Sequence, residues 1–201
     1  MSKELDKKKY ICGKAYDELI KNGINQFSLN KFISMIDMSK GQFYYYFKTK
    51  EELICKVIDT KCYEMFNYKY EQTKLKTNFL DKLSMFFSFF IEEKDPEFIE
   101  LAKLLKSTFH LYINTENGDI QKLNRNFYYL LLKYIEEMID ELIKKDCLKE
   151  NAKKFPRSIL ATVDGMYLHS LMDTNFNFKH YFSEYLLAIN ELLIKHNKGD
   201  I

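Results

Sequence analysis

The chain has 201 residues, of which 46% are hydrophobic, so it is long enough to bury one large core or two small ones. Its two prolines and six glycines supply too little turn chemistry for a β-sandwich or β-barrel of many short strands. The formal net charge of +2 hides an uneven distribution, because residues 1–50 carry ten lysines against five acidic residues. The composition predicts a mostly helical protein with a basic amino-terminal quarter.

The apolar segments predict neither a membrane span nor a secretory leader. Residues 86–91, which are interrupted by Ser88, form one of the longest, and it is far shorter than the roughly 20 residues that a span needs. No apolar segment follows the charged residues 1–9, and the four cysteines have no C-x-x-C or framework spacing. We therefore expect a cytoplasmic protein with free thiols.

Apolar spacing and capping residues predict four helices in the first third of the chain. The first helix covers about residues 3–21, and the second follows Ser28 as its N-cap. A Ser-x-x-Gln capping box at Ser39 and a Thr-x-x-Glu box at Thr49 lie ten residues apart, so only seven or eight residues fit in the helix between them. A long helix over about residues 50–73 follows.

Five further stripes of apolar residues at helical spacing follow in the rest of the chain. The helices that they predict begin near Phe79, at Pro96, after the Asn117-Gly118-Asp119 break, at Pro156 and near Phe182. No internal repeat or low-complexity linker separates them. The sequence therefore predicts an all-α chain of nine helices.

Residues 27–53 have the layout of a helix-turn-helix, with two short helices at a tight turn. At 100° per residue, Phe43, Tyr46 and Phe47 fall on the inner side of the second short helix. The remaining positions, outward or flanking, belong to Lys40, Gly41, Gln42, Tyr44 and Tyr45. Glycine permits close approach, tyrosine hydroxyls reach phosphates and glutamine can pair with an adenine edge, so this face suits duplex DNA. An ordinary solvated surface is the alternative.

The run SKGQFYYYFKTKEEL, residues 39–53, resembles the signature of TetR-family transcriptional repressors. The upstream spacing agrees, because Ala15 lies eight residues before Gly23 and Ser28 lies five residues after it. The resemblance covers about residues 11–58, a quarter of the chain.

Three positions depart from that family's pattern. Asp37 stands where the family usually has the glycine of the turn between the short helices, Glu18 where an apolar residue is usual, and Tyr46 where histidine is frequent. Because Asp tolerates the left-handed backbone conformation, Asp37 is compatible with such a turn. Tyr46 could alter a phosphate contact.

The resemblance implies a homodimeric, DNA-binding transcriptional regulator, a repressor that a small-molecule effector releases from a palindromic operator. It implies a helix-turn-helix domain over residues 1–50, connected by the long helix 50–73, and an effector-binding and dimerisation domain over residues 51–201. The predicted DNA-binding residues are Ser28, Ser39, Lys40, Gly41, Gln42, Tyr44, Tyr45, Tyr46 and Lys50.

The helix that begins at Pro156 is apolar around most of its circumference, which is typical of a helix buried on both sides. With Ala161 and Gly165 one turn apart, we expect this helix and the last one to form a four-helix interface with a second copy. Burial of both faces within one monomer is the alternative. The predicted interface residues are Ala161, Gly165, Leu168, Met172, Phe182, Tyr185 and Ile189.

Aromatic residues make up 16% of the chain, and many lie at core spacing in the larger domain. The candidates for an effector pocket are Phe86, Phe90, Phe109, His110, Phe127, Tyr134 and Tyr167. Asp164 and His169 are nearby polar candidates. Such a pocket would fit a hydrophobic or aromatic effector, and tyrosines beside an acid would also accommodate an organic cation. The sequence does not choose between them.

Motifs for catalysis, metal binding or cofactor binding are missing from the sequence. It contains no Glu-x-x-His, His-Glu-x-x-His, Gly-x-Ser-x-Gly, Walker or Rossmann pattern. His180 and Glu184 are four residues apart, but two ligands are not a metal site. We therefore expect no enzyme and no cofactor. The alternatives are an all-helical enzyme or binding protein for an apolar ligand, and a helix-turn-helix used only for protein association.

Overall fold

The computed structural model describes residues 3–90, 96–113, 116 and 118–195. Over these residues the protein has nine α-helices and no strand, which confirms the predicted fold class. The helices are α1 (Lys3–Asn22), α2 (Leu29–Met35), α3 (Lys40–Tyr46), α4 (Lys50–Thr73), α5 (Phe79–Phe86), α6 (Pro96–Ile113), α7 (Gly118–Lys144), α8 (Pro156–Met172) and α9 (Phe178–Leu193). Short 3-10 turns cover Ile24–Gln26, Ser88–Phe90 and Glu150–Lys154.

Side-chain caps explain where several helices begin. The amide oxygen of Asn78 accepts the Asp81 N–H at 2.8 Å at the start of α5, and Asn177 accepts the His180 N–H at 3.1 Å at the start of α9. Pro156 occupies the first turn of α8, where its missing N–H costs nothing. These caps satisfy backbone donors that have no partner within the helix.

The chain divides into two compact units. Unit 1 comprises residues 1–64 and 95–127, and unit 2 comprises residues 65–94 and 128–201. Both α4 and α7 contribute to both units, because the boundaries after residues 64 and 127 fall within these helices. The division of function at residue 50 stays a prediction.

The core of unit 1 forms between α1, α4 and the two short helices. Ile11, Ala15 and Leu19 line the inner face of α1 and are at most 1% exposed, as the three- and four-residue spacing predicts. The Lys61 ammonium of α4 pairs with Glu97 of α6 at 2.9 Å and lies 4.7 Å from the ring centroid of Tyr16 in α1. One lysine therefore ties three helices of this unit together.

The core of unit 2 is rich in aromatic rings. Phe86, Phe87 and Phe182 are at most 1% exposed, and the last two meet edge to face with their centroids 5.8 Å apart. Lys82 is fully buried in the same unit, where its ammonium donates at 3.0 Å both to the Thr73 carbonyl and to the Glu141 carboxylate. This lysine joins the end of α4, α5 and α7.

Candidate DNA-binding site

The turn between α2 and α3 is tight and has a left-handed residue. Asp37 adopts a φ of 50°, and the next residue, Met38, donates its N–H to the Ile33 carbonyl at 3.1 Å. The departure at Asp37 from the glycine pattern is therefore accommodated, since Asp is one of the residues that visits this conformation. The turn sets the angle at which α3 leaves α2.

The start of α3 is fixed by a complete capping box. The Ser39 hydroxyl accepts the Gln42 N–H at 3.2 Å, and the Gln42 side-chain oxygen accepts the Ser39 N–H at 2.9 Å. The predicted box is confirmed, and α3 has seven residues where seven or eight were predicted. One acceptor of Gln42 is thus already in use, while its amide N–H₂ group supplies two donors.

The inner face of α3 is anchored by two phenylalanines. Phe43 is fully buried and Phe47 is 3% exposed, with their ring centroids 5.8 Å apart. Tyr46, predicted on the same side, is half-buried and meets Tyr45 edge to face at 5.0 Å. Burial of the two phenylalanines leaves the opposite face of this short helix to solvent.

The outward face of α3 carries the predicted residues. Tyr44 and Tyr45 are 50% and 70% exposed, and Lys40, Gly41 and Gln42 are exposed beside them. A Cβ at Gly41 would meet nothing in the chain closer than the Ser39 hydroxyl at 4.0 Å. The packing of the protein therefore does not require glycine there.

The start of α4 has a variant of the predicted second capping box. Thr49 accepts the Glu52 N–H at 3.0 Å, but the Glu52 carboxylate accepts the N–H of Lys48 at 2.7 Å, one residue before the cap. The helix begins at Lys50, as predicted.

Lys50 has a long-range contact that local sequence patterns do not show. Its ammonium donates to the Phe27 carbonyl at 2.7 Å and lies 5.5 Å from the centroid of that ring, 23 residues away in the chain. The half-buried lysine therefore links the residues just before α2 to the start of α4. Ser28 occupies the N-cap position of α2, but its hydroxyl makes no capping hydrogen bond.

No family model matches the chain. The chain is similar to the HTH-type transcriptional regulator QacR of Staphylococcus aureus, with 39% identity over 71 residues. That match spans 34% of this chain and 37% of the length of QacR.

Solved structures of the same fold cover nearly the whole chain. A TetR transcription regulator from Haloarcula marismortui matches with a TM-score of 0.66 and 16% identity over 94% of this chain and 99% of that one. A transcriptional regulator from Saccharomonospora viridis in complex with choline matches with a TM-score of 0.66 and 14% identity over 95% and 99% of the two chains. The chain has the TetR-family fold. The resemblance of residues 39–53 to that family is thereby confirmed.

The predicted dimer surface of this TetR-family fold needs one correction. On α8, Ala161, Gly165 and Met172 are exposed, and Leu168 is half-buried, as is Tyr185 on α9. The prediction is wrong for two residues of α9, because they point into the core of unit 2: Phe182 and Ile189 are 0% and 6% exposed.

Several exposed apolar residues of α9 lie on one flank of its inward stripe. Tyr181 and Leu192 are 45% and 51% exposed, and Ala188 is exposed between them. These residues are seven and four positions apart, which is a helical spacing. The sequence analysis instead assigned residues of the more regular apolar stripe of α9 to the interface, and that stripe faces inward. These residues and the outward residues of α8 belong to two helices that pack against each other in unit 2.

The predicted effector residues are distributed over both units. In unit 2, the Phe86 and Tyr134 rings lie 6.0 Å apart, and the Phe90 and Tyr167 rings lie 4.9 Å apart. Phe127 belongs to unit 1 and is half-buried. Phe109 and His110 belong to α6, but their side chains lie outside the described part of the structure.

Asp164 of α8 and Tyr128 of α7 form a polar pair in unit 2, and the sequence analysis missed its second member. Burial raises the pKa of Asp164 to about 6, although a hydrogen bond from the Tyr128 hydroxyl opposes that rise. Burial, together with the charge of Asp164, also raises the pKa of Tyr128. Asp164 was a sequence candidate, whereas its partner on α7 carried no motif.

No three His, Cys, Asp or Glu side chains in the described ranges are placed to hold a metal ion. Within the same ranges, the helices are too short or too polar to cross a bilayer.

Proposed function

We propose that the protein is a DNA-binding transcriptional regulator that uses the outward face of α3 to read duplex DNA. The observation that carries the proposal is this face itself: a short helix, anchored by two buried phenylalanines, that exposes lysine, glycine, glutamine and tyrosines. These side chains supply phosphate contacts and a base-reading amide. The helix-turn-helix of QacR and the TetR-family fold support the same function.

Gly41 adds support because it has no packing role within the chain. Glycine in a helix costs about 0.5–1 kcal/mol relative to alanine, and the space around its missing Cβ is open. A partner that approaches the helix backbone would compensate for that cost. A phosphate backbone or a base edge is such a partner.

Specific recognition requires two copies of α3, since one seven-residue helix contacts too few bases. We propose that the exposed apolar residues of α8 and α9 pair with a second copy. Two-fold symmetry of the dimer then implies a palindromic operator.

We further propose that the regulator is a cytoplasmic repressor that a small molecule releases from DNA. The effector site is the aromatic cluster of unit 2, where Phe90 and Tyr167 lie near to each other and Asp164 and Tyr128 supply a polar pair. A half-buried carboxylate near aromatic rings suits an organic cation, the class to which choline in the S. viridis complex belongs. In this role the protein binds and releases ligands and catalyses no reaction.

Binding to duplex DNA as a function of salt tests the proposed function. A labelled duplex of random sequence should bind at 50 mM salt, and the affinity should fall steeply as salt rises, because lysine–phosphate contacts release counterions. A small molecule that binds the aromatic cluster of unit 2 should lower the affinity for the operator. The operator should then lower the affinity for that molecule by the same factor. Absence of duplex binding at low salt would contradict the proposal.

A further inference from the structure

A groove of about 380 Å³ lies between α1 and α6, within unit 1. Its volume falls at the lower end of the range of small-molecule sites, which is about 300–1,000 Å³. We call it the α1–α6 groove. None of its lining residues belongs to α3 or to the aromatic cluster of unit 2, so it is a further candidate site. The lining consists of Tyr16, Asp17, Ile20 and Lys21 of α1 and of Pro96, Glu97 and Glu100 of α6.

One lining residue of the groove carries a buried polar atom without a partner. Tyr16 is 9% exposed, and its hydroxyl forms no hydrogen bond with any residue that the structure describes. Burial raises the pKa of Tyr16, the charges of Glu97 and Glu100 add to that rise, and the charge of Lys61 opposes it. The hydroxyl therefore lies close to the two carboxylates of α6. Because a buried hydroxyl without a partner is unfavourable, a polar group that enters the groove can gain a hydrogen bond there.

A lysine of the chain itself shows which chemistry suits this place. The Lys61 ammonium lies 4.7 Å from the centroid of the Tyr16 ring. It pairs with the carboxylates of Glu97 at 2.9 Å and of Glu64 at 3.2 Å. An ammonium group between an aromatic ring and carboxylates is thus already bound beside the groove. These surroundings favour a cation over an anion.

The remaining carboxylates of the groove are available to a ligand. Asp17 is exposed and forms no ion pair with a described residue. Glu100 pairs with Lys103 at 2.6 Å, but the Lys103 side chain is 67% exposed, and exposed pairs of this kind are weak. Three lining residues are acidic, whereas Lys21 alone is basic. The lining therefore combines negative charge with the apolar surface of Ile20.

We infer that the α1–α6 groove binds a small organic ammonium ion, at a site distinct from the effector site proposed in unit 2. The carboxylates of Asp17 and Glu100 attract the ammonium group, and the Tyr16 hydroxyl oxygen is a further acceptor for its N–H groups. The apolar part of the ligand packs against Ile20 and Pro96. The inference concerns ligand binding to unit 1 and stands whether or not α3 reads DNA.

A titration with benzylammonium, followed by NMR through the methyl signals of labelled isoleucines, tests the inference in the full chain without DNA. Benzyl alcohol is the matched ligand, because it has the same ring and no charge. The Ile20 signal, assigned through Ile20→Val, should move saturably at millimolar benzylammonium and much less with benzyl alcohol. Because Ile20 lines the groove, its signal reports this site and not the aromatic cluster of unit 2.

The double variant Asp17→Asn/Glu100→Gln tests the role of the carboxylates. It should weaken benzylammonium binding about threefold or more, because two attractive charges are removed. The matched control is Glu136→Gln/Asp140→Asn, which removes the same charge from exposed positions of α7 in unit 2. The control should bind benzylammonium at the Ile20 site as tightly as the wild type.

Tyr16→Phe tests the role of the buried hydroxyl. The variant should have a higher melting temperature, because it removes a buried polar group without a partner, and it should bind benzylammonium more weakly. A more stable Tyr16→Phe with wild-type affinity would overturn the inference. So would an Ile20 signal that does not respond to benzylammonium, or one that responds equally to benzyl alcohol. Equal loss of affinity in the Asp17/Glu100 variant and in its control would also overturn it.

Discussion

Individual side chains on the outward face of α3 are exposed in a way that the protein's own packing does not explain. Tyr45 is 70% exposed, and Gly41 has open space where a Cβ would lie. In contrast, the inner residue Phe43 has no exposed surface. At the residue scale, stability and proposed function therefore separate by face, and substitutions on the two faces should have opposite signatures.

Gly41→Ala is expected to stabilise the fold and to weaken DNA binding. Alanine in the first turn of α3 should add about 0.5 kcal/mol to the free energy of unfolding, measured by urea denaturation. The added methyl group should cost affinity for the operator, because it occupies the space through which the duplex approaches. Unchanged affinity in a stabilised variant would show that DNA does not approach this glycine.

Asp164→Asn is expected to remove a pH-dependent loss of stability. Because the pKa of Asp164 is raised to about 6 in the folded protein and is lower in the unfolded chain, the folded state binds the extra proton between these values. The contribution of Asp164 therefore falls as pH rises from about 4 to 6, by at most about 3 kcal/mol. Urea denaturation at pH 4.5 and 7.5 should show a smaller difference in Asp164→Asn than in the wild type.

If the free energy of unfolding falls by the same amount between pH 4.5 and 7.5 in the wild type and in Asp164→Asn, another group is responsible for the pH dependence. Tyr128→Phe is a useful companion, because it removes the hydrogen bond that favours the charged carboxylate. In that variant the pKa of Asp164 should rise further, and the loss of stability should extend to higher pH.

At the scale of the elements, the capping sequences predicted where helices begin, but they could not predict the contacts between helices. The two capping sequences placed the starts of α3 and α4, because a cap depends only on residues three apart. The Lys50–Phe27 and Lys82–Glu141 contacts join residues 23 and 59 positions apart, and spacing along one helix reports a face without its partner. For the same reason, the sequence could not decide which stripe of α9 faces inward.

Lys82→Met is expected to destabilise unit 2 although it retains the volume and apolar stem of the side chain. The change removes two hydrogen bonds of the buried ammonium, to the Thr73 carbonyl and to the Glu141 carboxylate, and should cost about 1–3 kcal/mol, although the Thr73 carbonyl keeps the Lys76 N–H at 3.0 Å. Lys145 is exposed and is the other lysine that pairs with Glu141. Lys145→Met should therefore lower the free energy of unfolding much less than Lys82→Met. Equal losses in urea denaturation would contradict the assigned role of Lys82.

At the scale of the whole molecule, the proposed function requires two copies of the chain on one operator. Sequence reasoning could predict that α8 has apolar residues on more than one face, and the structure leaves Ala161, Gly165 and Met172 exposed. It could not locate the effector, because an aromatic residue at core spacing fills a core as readily as it lines a pocket. Tyr134, with 6% exposure, shows how deeply one of these candidates is buried.

Gly165→Glu is expected to dissociate the dimer and to lower operator affinity with it. A carboxylate at the proposed interface would be desolvated against an apolar surface, which costs several kcal/mol. Asn126→Glu, at an exposed position of α7, is the matched control and should remain dimeric. Sedimentation that shows the same dimer in Gly165→Glu and the control would place the interface elsewhere.

Selection of duplexes from a random pool, performed with the wild type and with Gln42→Ala, tests the central claim that α3 reads DNA. The wild type should enrich a two-fold symmetric site, and Gln42→Ala should lose discrimination of about 1–3 kcal/mol at one base pair of each half-site. Gln42→Glu should lose the same preference while it keeps the acceptor for the Ser39 N–H, so a changed helix start is controlled for. An unchanged sequence preference in both variants, or no enriched sequence with the wild type, would contradict the proposed function.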